Sequence, residues 1–500
     1  MKNIAIDLKT IFIIIIKMEN YKREFVEFLL AKNALRVFED PKDDRALKSK
    51  RPFSTWFVNI GDFNDGESSN ELAGFFADAV INSGVQVNTL YGIPDKGVGL
   101  AAPVAMAMAQ KGHNVAWFFS RKDEKTHGEA TNLGPEERIK KLTVGRAPKP
   151  DDAIVQLDDV FTAGDAKYEA NNFLKSLGRN NLPLLAIAVD RQEVAIDSRE
   201  AIAEYQERTG TRVVSIVNAL DVYDVLKESH LSEIFSRALE RLATYIRVYG
   251  TKDARDGIVE RAGKLEQKII ARDRSVIPAC DVETLEQFEE LVKQTADVPG
   301  IGGYKIGFEL GLGFGLPAVV AAARKHTNKP IIYDHQKAGT DIPDTGRGYV
   351  RTMKKAGVDA IILFPQAGPE TERAWIHQAL DNGLNVIVGG RMTHPDYSVS
   401  EGGFITDEGA LDMYRIAARA GVNNFVVPGN KPDVIKQVRE VVEAEGVSPV
   451  FYAPGFIAQG GKIEAAAKIA GDKFHGIVGR GIYSAKDMHA AAVEHTSQLS

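Results

Sequence analysis

The sequence contains a single cysteine, Cys280, among 500 residues. One cysteine cannot form a disulfide within the chain, and it cannot supply a cluster of thiolate ligands to a metal. This scarcity is typical of proteins in a reducing compartment, so we expect a cytoplasmic location. Tryptophan and methionine are also sparse, at 3 and 8 residues, while hydrophobic residues make up 44%. The composition is that of a globular chain without fibrous or low-complexity segments.

The sequence also lacks a strong excess of charge and a long apolar run. Its formal net charge is −6, so we expect no general attraction to nucleic acid or to an anionic membrane, although local basic loops can still bind small anions. An apolar stretch from Ile11 to Ile16 is closed by Lys17. It is too short to span a membrane and has no small-residue cleavage site. The sequence therefore predicts neither membrane insertion nor secretion.

The length favours two domains, because a single hydrophobic core rarely serves 500 residues. We expect residues 1–17 to be a disordered leader or a segment upstream of a true start at Met18. Residues 18–228 form the first predicted domain and residues 273–500 the second. Between them, residues 229–272 are rich in charge, contain no proline and have a helical period, which indicates a helical connector.

Strand-like runs alternate with helical stretches in both halves. In the first half the runs are Val87 to Tyr91, Val115 to Phe119, Ala153 to Leu157 and Leu184 to Val189. This alternation predicts an α/β domain with a mainly parallel sheet. The second half has eight runs: Val276 to Cys280, Gly303 to Gly307, Pro330 to Asp334, Ala360 to Phe364, Asn385 to Gly389, Asn424 to Val427, Pro449 to Ala453 and Gly476 to Gly479. Eight βα units predict a (β/α)8 TIM barrel, with its active site at the carboxyl ends of the strands.

Charged residues stand at the predicted carboxyl ends of the first three barrel strands. They are Asp281, Lys305, Asp334, Lys337 and Asp341. Alternating acids and lysines keep one another ionised, because each charge has a neighbour of opposite sign. The pattern indicates a preorganised catalytic array, and a structural network of ion pairs at the barrel mouth is the alternative.

The last two predicted barrel strands are followed by glycine-rich loops at residues 453–461 and 478–483. The first loop contains Gln459, and the second contains Arg480 between two glycines. Barrels often bind phosphate after strands seven and eight, where glycine lets backbone N–H groups approach and arginine adds a fork of donors. The two loops together predict a phosphate site.

Over residues 275–497 the sequence resembles the orotidine 5′-phosphate decarboxylase family. The resemblance rests on residues 304–307, on the run from Asp334 to Pro343, on residues 391–395 and on both phosphate loops. It implies cofactor-free decarboxylation by a tetrad of charged residues, which are Lys305, Asp334, Lys337 and Asp341. In that family Lys337 would protonate the C6 carbanion, and Asp334 would face the substrate carboxylate. Asp281 and Lys305 would hold the ribose, Thr393 the pyrimidine, and Gln459 and Arg480 the phosphate.

The spacing of the tetrad departs from this family. The family pattern is D-x-K-x-x-D, whereas this chain has D-x-x-K-x-x-x-D from Asp334 to Asp341. We expect a bulged loop to absorb the two additional residues while the side chains still point inward.

In the first half, residues 155–166 are predicted to form an apolar strand followed by a turn of small residues. The strand carries Asp158 and Asp159 near its end, and the turn contains Thr162 and Gly164. Such a turn can cradle phosphate with backbone N–H groups, and the paired acids can accept hydrogen bonds from ribose hydroxyls. A strand-end acid pair that caps the following helix is the alternative. The polar stretch at residues 120–129 is rich in cationic donors that could close over pyrophosphate, or it is a solvated loop.

Together with residues 47–49, 91–97 and 190–193, these segments resemble the orotate phosphoribosyltransferase family over about residues 20–228. The resemblance implies that Lys125 is the mobile catalytic lysine and that Arg191 grips orotate. It also implies phosphate and pyrophosphate contacts by Lys48, Lys96, Arg121, Lys122 and His127. Mg²⁺ would be carried mainly by the pyrophosphate rather than by a protein cage. One residue departs from the family, since Asp165 stands where a hydroxyl usually meets the 5′-phosphate.

The two resemblances imply consecutive reactions that convert orotate and phosphoribosyl pyrophosphate to orotidine monophosphate (OMP) and then to uridine monophosphate (UMP). They also imply a homodimer with shared active sites. Two alternatives remain open. The barrel could decarboxylate a sugar phosphate, or the first half could be a ligand sensor or nucleic-acid regulator while only the barrel is a catalyst.

Overall fold

A computed structural model describes residues 8–47, 51–121, 135–161, 164–195, 198–228, 233, 235–336, 338–339, 341–456 and 462–499. For residues 8–19, 135, 136 and 138 only the backbone is described. The chain divides into two compact units, the first comprising residues 1–246 and 250–261 and the second residues 247–249 and 262–500. No helix in the described part of the chain is long and apolar enough to cross a membrane.

The first unit is built on a six-stranded sheet and a two-stranded hairpin. Its strands are β1 (Leu35–Val37), β2 (Trp56–Val58), β3 (Thr89–Gly92), β4 (Ala116–Ser120), β5 (Thr143–Gly145), β6 (Ile154–Phe161), β7 (Leu184–Asp190) and β8 (Arg212–Asn218). The large sheet has the order β5-β4-β3-β6-β7-β8. All its pairings are parallel except that of β4 with β5. The predicted parallel sheet is confirmed.

The helices α1 (Leu8–Ala31), α2 (Gly66–Asn82), α3 (Val98–Gln110), α4 (Pro135–Leu142), α5 (Asp165–Ser176), α6 (Ala201–Thr209), α7 (Ala219–Glu228), α8 (Ser236–Tyr249) and α9 (Lys252–Ala262) complete this half. Strand β7 has six buried residues in succession, as expected for a central strand covered on both faces. The core contains Leu185, Ile187 and Tyr205.

The boundaries of the first unit differ from the expected ones at both ends. Helix α1 begins at Leu8, inside the segment expected to be a disordered leader, and continues into a turn where Phe25, Val26 and Leu29 are fully buried. Such burial stabilises a helix and lets it propagate toward its start. Helix α8, expected in the connector, contributes the fully buried Arg241 to this unit, where it pairs with Asp44 at 2.7 Å.

The second unit is a closed barrel of eight parallel strands, as the sequence predicts. They are β9 (Arg274–Cys280), β10 (Tyr304–Ile306), β11 (Ile331–Asp334), β12 (Ala360–Leu363), β13 (Asn385–Gly389), β14 (Asn424–Val426), β15 (Val450–Ala453) and β16 (Phe474–Val478). Strand β16 pairs with β9 and closes the sheet. Ile277, Ile332, Ile362, Ile387 and Ile477 belong to the buried cluster that fills the barrel.

The barrel helices are α10 (Leu285–Thr295), α11 (Phe308–Leu310), α12 (Leu316–Arg324), α13 (Thr345–Ala356), α14 (Pro369–Asp381), α15 (Asp407–Arg419), α16 (Pro432–Ala444), α17 (Ile463–Ala470), α18 (Arg480–Tyr483) and α19 (Met488–Ser497). Local sequence explains where several begin. Thr284 and Gln287 form a capping box at the start of α10, and α14 and α16 begin with proline. The loop after β9 is thus held between the strand end and a capped helix.

Candidate active sites

The sheet of the first unit has a switch point between β3 and β6. From β3 the chain continues to β4 on one side, and β6 then pairs on the other side of β3. Ligands of open α/β sheets bind at the carboxyl ends of the strands beside such a point. Lys96, Arg121 and Arg191 lie just beyond the carboxyl ends of β3, β4 and β7, and Asp158 lies in β6, one residue after the partner of the last residue of β3. The topology therefore places four predicted site residues along one edge.

The loop after β3 lies directly against β6. A Cβ added to Gly97 would be 2.1 Å from the carbonyl oxygen of Leu157, and one added to Gly92 would be 2.3 Å from that of Gly97. Only glycine permits so close an approach of two backbones. The ammonium of Lys96 in this loop is exposed and donates to Asn59 Oδ1 at 2.7 Å. Arg121 is also exposed, and its backbone N–H donates to Leu142.

Asp158 is almost fully buried, with 4% of its surface exposed. Its Oδ1 accepts from the N–H of Asp159 at 2.9 Å, and its Oδ2 lies 2.6 Å from Nζ of Lys167. Burial raises the pKa of Asp158, Lys167 opposes that rise and Asp159 adds to it, giving about 6. Asp159 is half-buried and accepts from the N–H of Val160 at 2.7 Å. The two acids therefore differ in environment although they are adjacent in sequence.

The turn after β6 has the geometry expected of a phosphate loop in its described part. Gly164 has a φ of 88° and precedes the first residue of α5, and a Cβ there would lie 2.9 Å from the ring of Phe161. The left-handed conformation and the lack of space both favour glycine. Asp165, the first residue of α5, is exposed rather than buried in the turn.

Arg191 lies in a buried charge network. Its guanidinium donates to Glu193 at 2.7 Å and to Ser54 Oγ at 2.8 Å, and it stacks 4.1 Å from the centre of the Trp56 ring. Arg51 reaches the same carboxylate at 2.6 Å. Burial alone would raise the pKa of Glu193, but Arg191 and Arg51 hold it below its ordinary value. The network thus brings two guanidinium groups together beside an aromatic ring.

In the barrel, Lys305 lies between two carboxylates. Its ammonium is 3.5 Å from Asp281 Oδ1 and 3.4 Å from Asp334 Oδ2, and its side chain is only 8% exposed. Burial lowers the pKa of Lys305, but Asp334 and Asp281 more than offset this, so the pKa lies above its ordinary value. The structure therefore brings together three of the predicted barrel residues, with the lysine charged.

The segment after β11 begins with a turn at Gln336, while Lys337 and Thr340 of the wider spacing lie outside the described residues. Gln336 has a φ of 51°, its N–H donates to Asp334 Oδ1 at 2.8 Å, and its Oε1 accepts from the N–H of Phe308 at 3.3 Å. An additional residue in the left-handed region bends the chain without disturbing the strand. Asp341, later in this segment, is exposed, and its carbonyl accepts from Thr371 Oγ1 at 2.9 Å.

Arg480 and Thr393 follow two other barrel strands, β16 and β13. Arg480 is exposed at the start of α18, directly after β16. Burial raises the pKa of the neighbouring Tyr483, with Asp281 adding to the rise and Arg480 opposing it, so both charges lie near that phenol. Thr393 is half-buried after β13, and its carbonyl accepts from Asn430 at 3.0 Å. Neither Thr393 nor Asp341 makes a hydrogen bond to the Asp281–Lys305–Asp334 trio.

Seven predicted site residues lie outside the described residues: Lys48, Lys122, Lys125, His127, Thr162, Lys337 and Gln459. Two residues that sequence reasoning missed are Lys167 and Arg51, which neutralise buried acids. Lys167 follows Gly164 by three residues, at the position where a helix turns back over the preceding strand, and that spacing was the available signal. Within the described ranges no group of three acidic, histidine or cysteine side chains could hold a metal. Any Mg²⁺ in this site would therefore take its ligands mainly from a phosphorylated substrate.

Comparison with known proteins assigns each half to a family. The model of the orotidine 5′-phosphate decarboxylase / HUMPS family matches residues 274–494. The orotate phosphoribosyltransferase of Marinobacter nauticus is 35% identical over 233 residues, which cover 47% of this chain and 100% of that protein. The one from Neisseria meningitidis serogroup C is 33% identical over 235 residues, again 100% of its length.

Two solved structures are similar to parts of this chain. The orotidine 5′-monophosphate decarboxylase of Methanocaldococcus jannaschii, complexed with the inhibitor BMP, is 26% identical, with a TM-score of 0.40, and the match covers 45% of this chain and 99% of that one. The orotate phosphoribosyltransferase of Francisella tularensis is 28% identical, with a TM-score of 0.38, and the match covers 46% and 100%. From the full-length sequence matches, the chain belongs to the orotate phosphoribosyltransferase family, joined to a second half that matches the orotidine 5′-phosphate decarboxylase family.

Proposed function

We propose that this chain makes UMP in two consecutive reactions, with one catalytic site in each unit. The first unit transfers a phosphoribosyl group to orotate, and the barrel decarboxylates the resulting OMP. The observation that carries this proposal is that a full-length orotate phosphoribosyltransferase match is fused to a barrel with a buried Asp–Lys–Asp cluster. Neither alternative, a sugar-phosphate decarboxylase or a regulatory first half, accounts for both features.

In the transferase site the chain binds the sugar and disperses the charge of the departing pyrophosphate. Asp158 and Asp159 accept hydrogen bonds from the ribose hydroxyls, while the turn containing Thr162 and Gly164 holds the 5′-phosphate. The backbone of Gly97 approaches the pyrophosphate. The cationic contacts to phosphate oxygens come from Lys48, Lys96, Arg121, Lys122, Lys125 and His127. Mg²⁺ carried by the pyrophosphate withdraws charge from the leaving group.

The positive network around Arg191 is proposed to attract the planar orotate anion. Arg191 and Arg51 both pair with the carboxylate of Glu193, so two guanidinium groups lie together here. Trp56, stacked on Arg191, supplies an aromatic neighbour. A fixed guanidinium suits a carboxylate ligand because it offers a planar fork of donors.

In the barrel, decarboxylation breaks the bond between C6 and the carboxylate carbon. CO₂ leaves, the electron pair remains on C6, and the ammonium of Lys337 delivers the proton that completes UMP. Asp334 faces the departing carboxylate, and Lys305 and Asp281 hold the ribose. Thr393 contacts the pyrimidine, while Gln459 and Arg480 bind the phosphate. The protein's fixed charges stabilise the developing carbanion, so the proposed step needs no cofactor.

We also propose a cytoplasmic homodimer in which Asp341 completes the site of the partner subunit. Four large apolar side chains follow β10 and β11 and are exposed: Phe308, Leu312, Phe314 and Ile342. Ile342 is directly adjacent to Asp341 and is 58% exposed. An apolar group of this kind marks an interaction surface, and a symmetric dimer would bury it while placing Asp341 at the partner.

One assay tests both activities in the full chain. With orotate labelled in its carboxylate, labelled CO₂ should appear only when phosphoribosyl pyrophosphate and Mg²⁺ are both present. OMP supplied directly should lose CO₂ even after chelation of metal. If neither substrate releases CO₂ from a folded preparation, the proposed function is wrong.

Paired variants separate the two sites. Lys125→Ala should abolish most OMP formation and leave decarboxylation of added OMP unchanged, whereas Lys337→Ala should cause OMP to accumulate. The two sites are independent because they belong to separate compact units. Equal loss of both activities in either variant would contradict the two-site proposal. If the first unit is instead a regulator, the wild type will decarboxylate OMP but never consume orotate.

A further inference from the structure

A buried ion pair joins the phosphate-loop helix to the acid pair of the first unit. Lys167 lies in the first turn of α5, three residues after Gly164, and its Nζ is 2.6 Å from Oδ2 of Asp158. The side chains of Lys167 and Asp158 are 9% and 5% exposed. The ammonium also lies 5.9 Å from the centre of the Phe161 ring. Lys167 is therefore enclosed between its own helix and the end of β6.

Asp158 needs such a partner because its other surroundings disfavour a negative charge. The side chain is almost completely removed from water, and the half-buried carboxylate of Asp159 is its sequence neighbour. Among the described residues, its other oxygen accepts a hydrogen bond from the N–H of Asp159. Tyr91, on the adjacent strand β3, lies near Asp158, and its hydroxyl pairs with Ser120 Oγ at 2.9 Å. Lys167 is thus the cation that offsets burial and the like charge.

We propose that Lys167 is a positioning residue that keeps Asp158 ionised and fixes the orientation of its carboxylate, so that Asp158 accepts a hydrogen bond from the ribose of phosphoribosyl pyrophosphate. The proposal rests on the transferase function proposed above. A carboxylate accepts hydrogen bonds at both oxygens, whereas one oxygen of a protonated carboxyl carries an O–H that is itself a donor. Neutral Asp158 would therefore bind a ribose hydroxyl poorly.

The placement of Lys167 also links two parts of the site. The lysine is carried by the helix whose first turn forms the phosphate loop, and the acid is carried by the strand that precedes the loop. A shift of α5 would move the cation away from Asp158. The ion pair consequently makes the charge on the ribose acceptor depend on the correct position of the phosphate loop.

The experiment compares pH profiles of kcat/KM for phosphoribosyl pyrophosphate in the full chain. In the wild type, activity should fall on the acid side near the pKa of Asp158, about 6. In Lys167→Met the acid limb of the profile should move to higher pH by at least about one unit, because the cation nearest to Asp158 is gone. The result should be a roughly twofold loss at pH 7 that grows to nearly tenfold at pH 5 and disappears near pH 9. Lys167→Arg should retain the limb close to that of the wild type.

Lys175→Met is the matched control, because Lys175 belongs to the same helix but is exposed and donates only to the carbonyl of Thr209. It should leave the profile unchanged. Decarboxylation of added OMP, measured in the same samples, should not change in any variant. A loss in Lys167→Met that is equal at every pH would overturn the proposal, because a merely structural role predicts uniform loss.

Direct titration of Asp158 separates this proposal from the transferase function on which it rests. The carboxyl carbon of Asp158, followed by NMR with Asp158→Asn for assignment, should titrate at a higher pH in Lys167→Met than in the wild type. An unchanged titration would overturn the proposal even if the transferase is active. If the wild type forms no OMP while the titration shifts as expected, the transferase function has failed and the ionisation argument has not. The double variant Asp158→Asn/Lys167→Met removes both buried charges, and it should fold yet remain inactive at every pH.

Discussion

Removing the ammonium of Lys305 should destabilise the barrel, because it leaves two acids facing each other. In Lys305→Met a neutral chain of similar length replaces a cation that lies 3.4 Å from Asp334 and 3.5 Å from Asp281. At an effective dielectric constant of 20, each contact corresponds to about 5 kcal/mol of Coulomb attraction before desolvation is counted. Asp281 is 40% exposed and remains hydrated, whereas Asp334 is 16% exposed. The net loss should therefore come mainly from Asp334 and amount to about 3 kcal/mol of unfolding free energy.

A double-mutant cycle isolates the contribution of this pair. Asp334→Asn added to Lys305→Met removes the unpaired carboxylate and should recover about 2 kcal/mol of the loss. Hydrogen exchange of the amides in β9 to β11, measured on the full chain, reports the opening free energy of the barrel separately from that of the first unit. Lys325→Met is the control. Lys325 pairs with Glu289 at 2.9 Å on the surface, so its loss should cost less than about 1 kcal/mol.

Catalysis should respond differently from stability in the same variants. Lys305→Met and the double variant should both lose at least about 10²-fold in decarboxylation, because a preorganised charge at the substrate is missing in each. OMP formation by the first unit should continue in both. A coupling energy below about 0.5 kcal/mol between positions 305 and 334 would refute the electrostatic reasoning. So would a double variant that recovers decarboxylation together with stability.

Three further changes test other parts of the structure. Burial lowers the pKa of His475 to about 3, and the Nδ1 of His475 pairs with Ser275 at 2.8 Å. The neutral, buried imidazole therefore contributes to stability above its ordinary pKa of 6.5, and this contribution is lost as the pH falls. From pH 8 to pH 5 the barrel should lose about 2 kcal/mol in this way, and His475→Gln should flatten that dependence; an equally steep loss in the variant would contradict the assignment. Gly97→Ala would place a Cβ 2.1 Å from the Leu157 carbonyl and should reduce OMP formation about 10²-fold. Normal transferase kinetics would mean that this loop does not position substrate. Arg480→Ala should lower kcat/KM for OMP at least about tenfold by removing a charge-assisted contact to phosphate; an unchanged value would exclude Arg480 as a phosphate ligand.

The sequence was sufficient to predict the barrel and the trio at its mouth. Eight strand runs followed by helices fix the order of the barrel strands, and the closed geometry then brings their carboxyl ends together. Asp281, Lys305 and Asp334 converge for that reason, although they belong to three strand segments that are far apart in sequence. The turn at Gln336 could be anticipated only as a bulge, because spacing alone does not say which residue adopts a positive φ.

Buried cations such as Lys167 and Arg241 are difficult to predict from sequence for one physical reason. A lysine or arginine on a helix is usually solvated, and only tertiary packing decides whether it becomes buried beside an acid. Lys167 meets Asp158 across the strand–helix turn, while Arg241 meets Asp44 across a large separation in sequence. For the same reason the sequence predicts a connector at the residues that form helix α8, most of which belong to the first unit. Its charge-rich amphipathic pattern is shared by linker helices and by helices that pack through buried ion pairs.

The closure of the barrel sets the order in which the two halves can be completed during synthesis. Strand β9 hydrogen-bonds to β16, so the first barrel strand has no partner on one side until residues 474–478 have left the ribosome. All the strands of the first unit's sheet, by contrast, lie before residue 219. Because domains generally fold as units during synthesis, the sheet that carries the transferase site can assemble while the decarboxylase half is still an open array of strands with two unpaired edges.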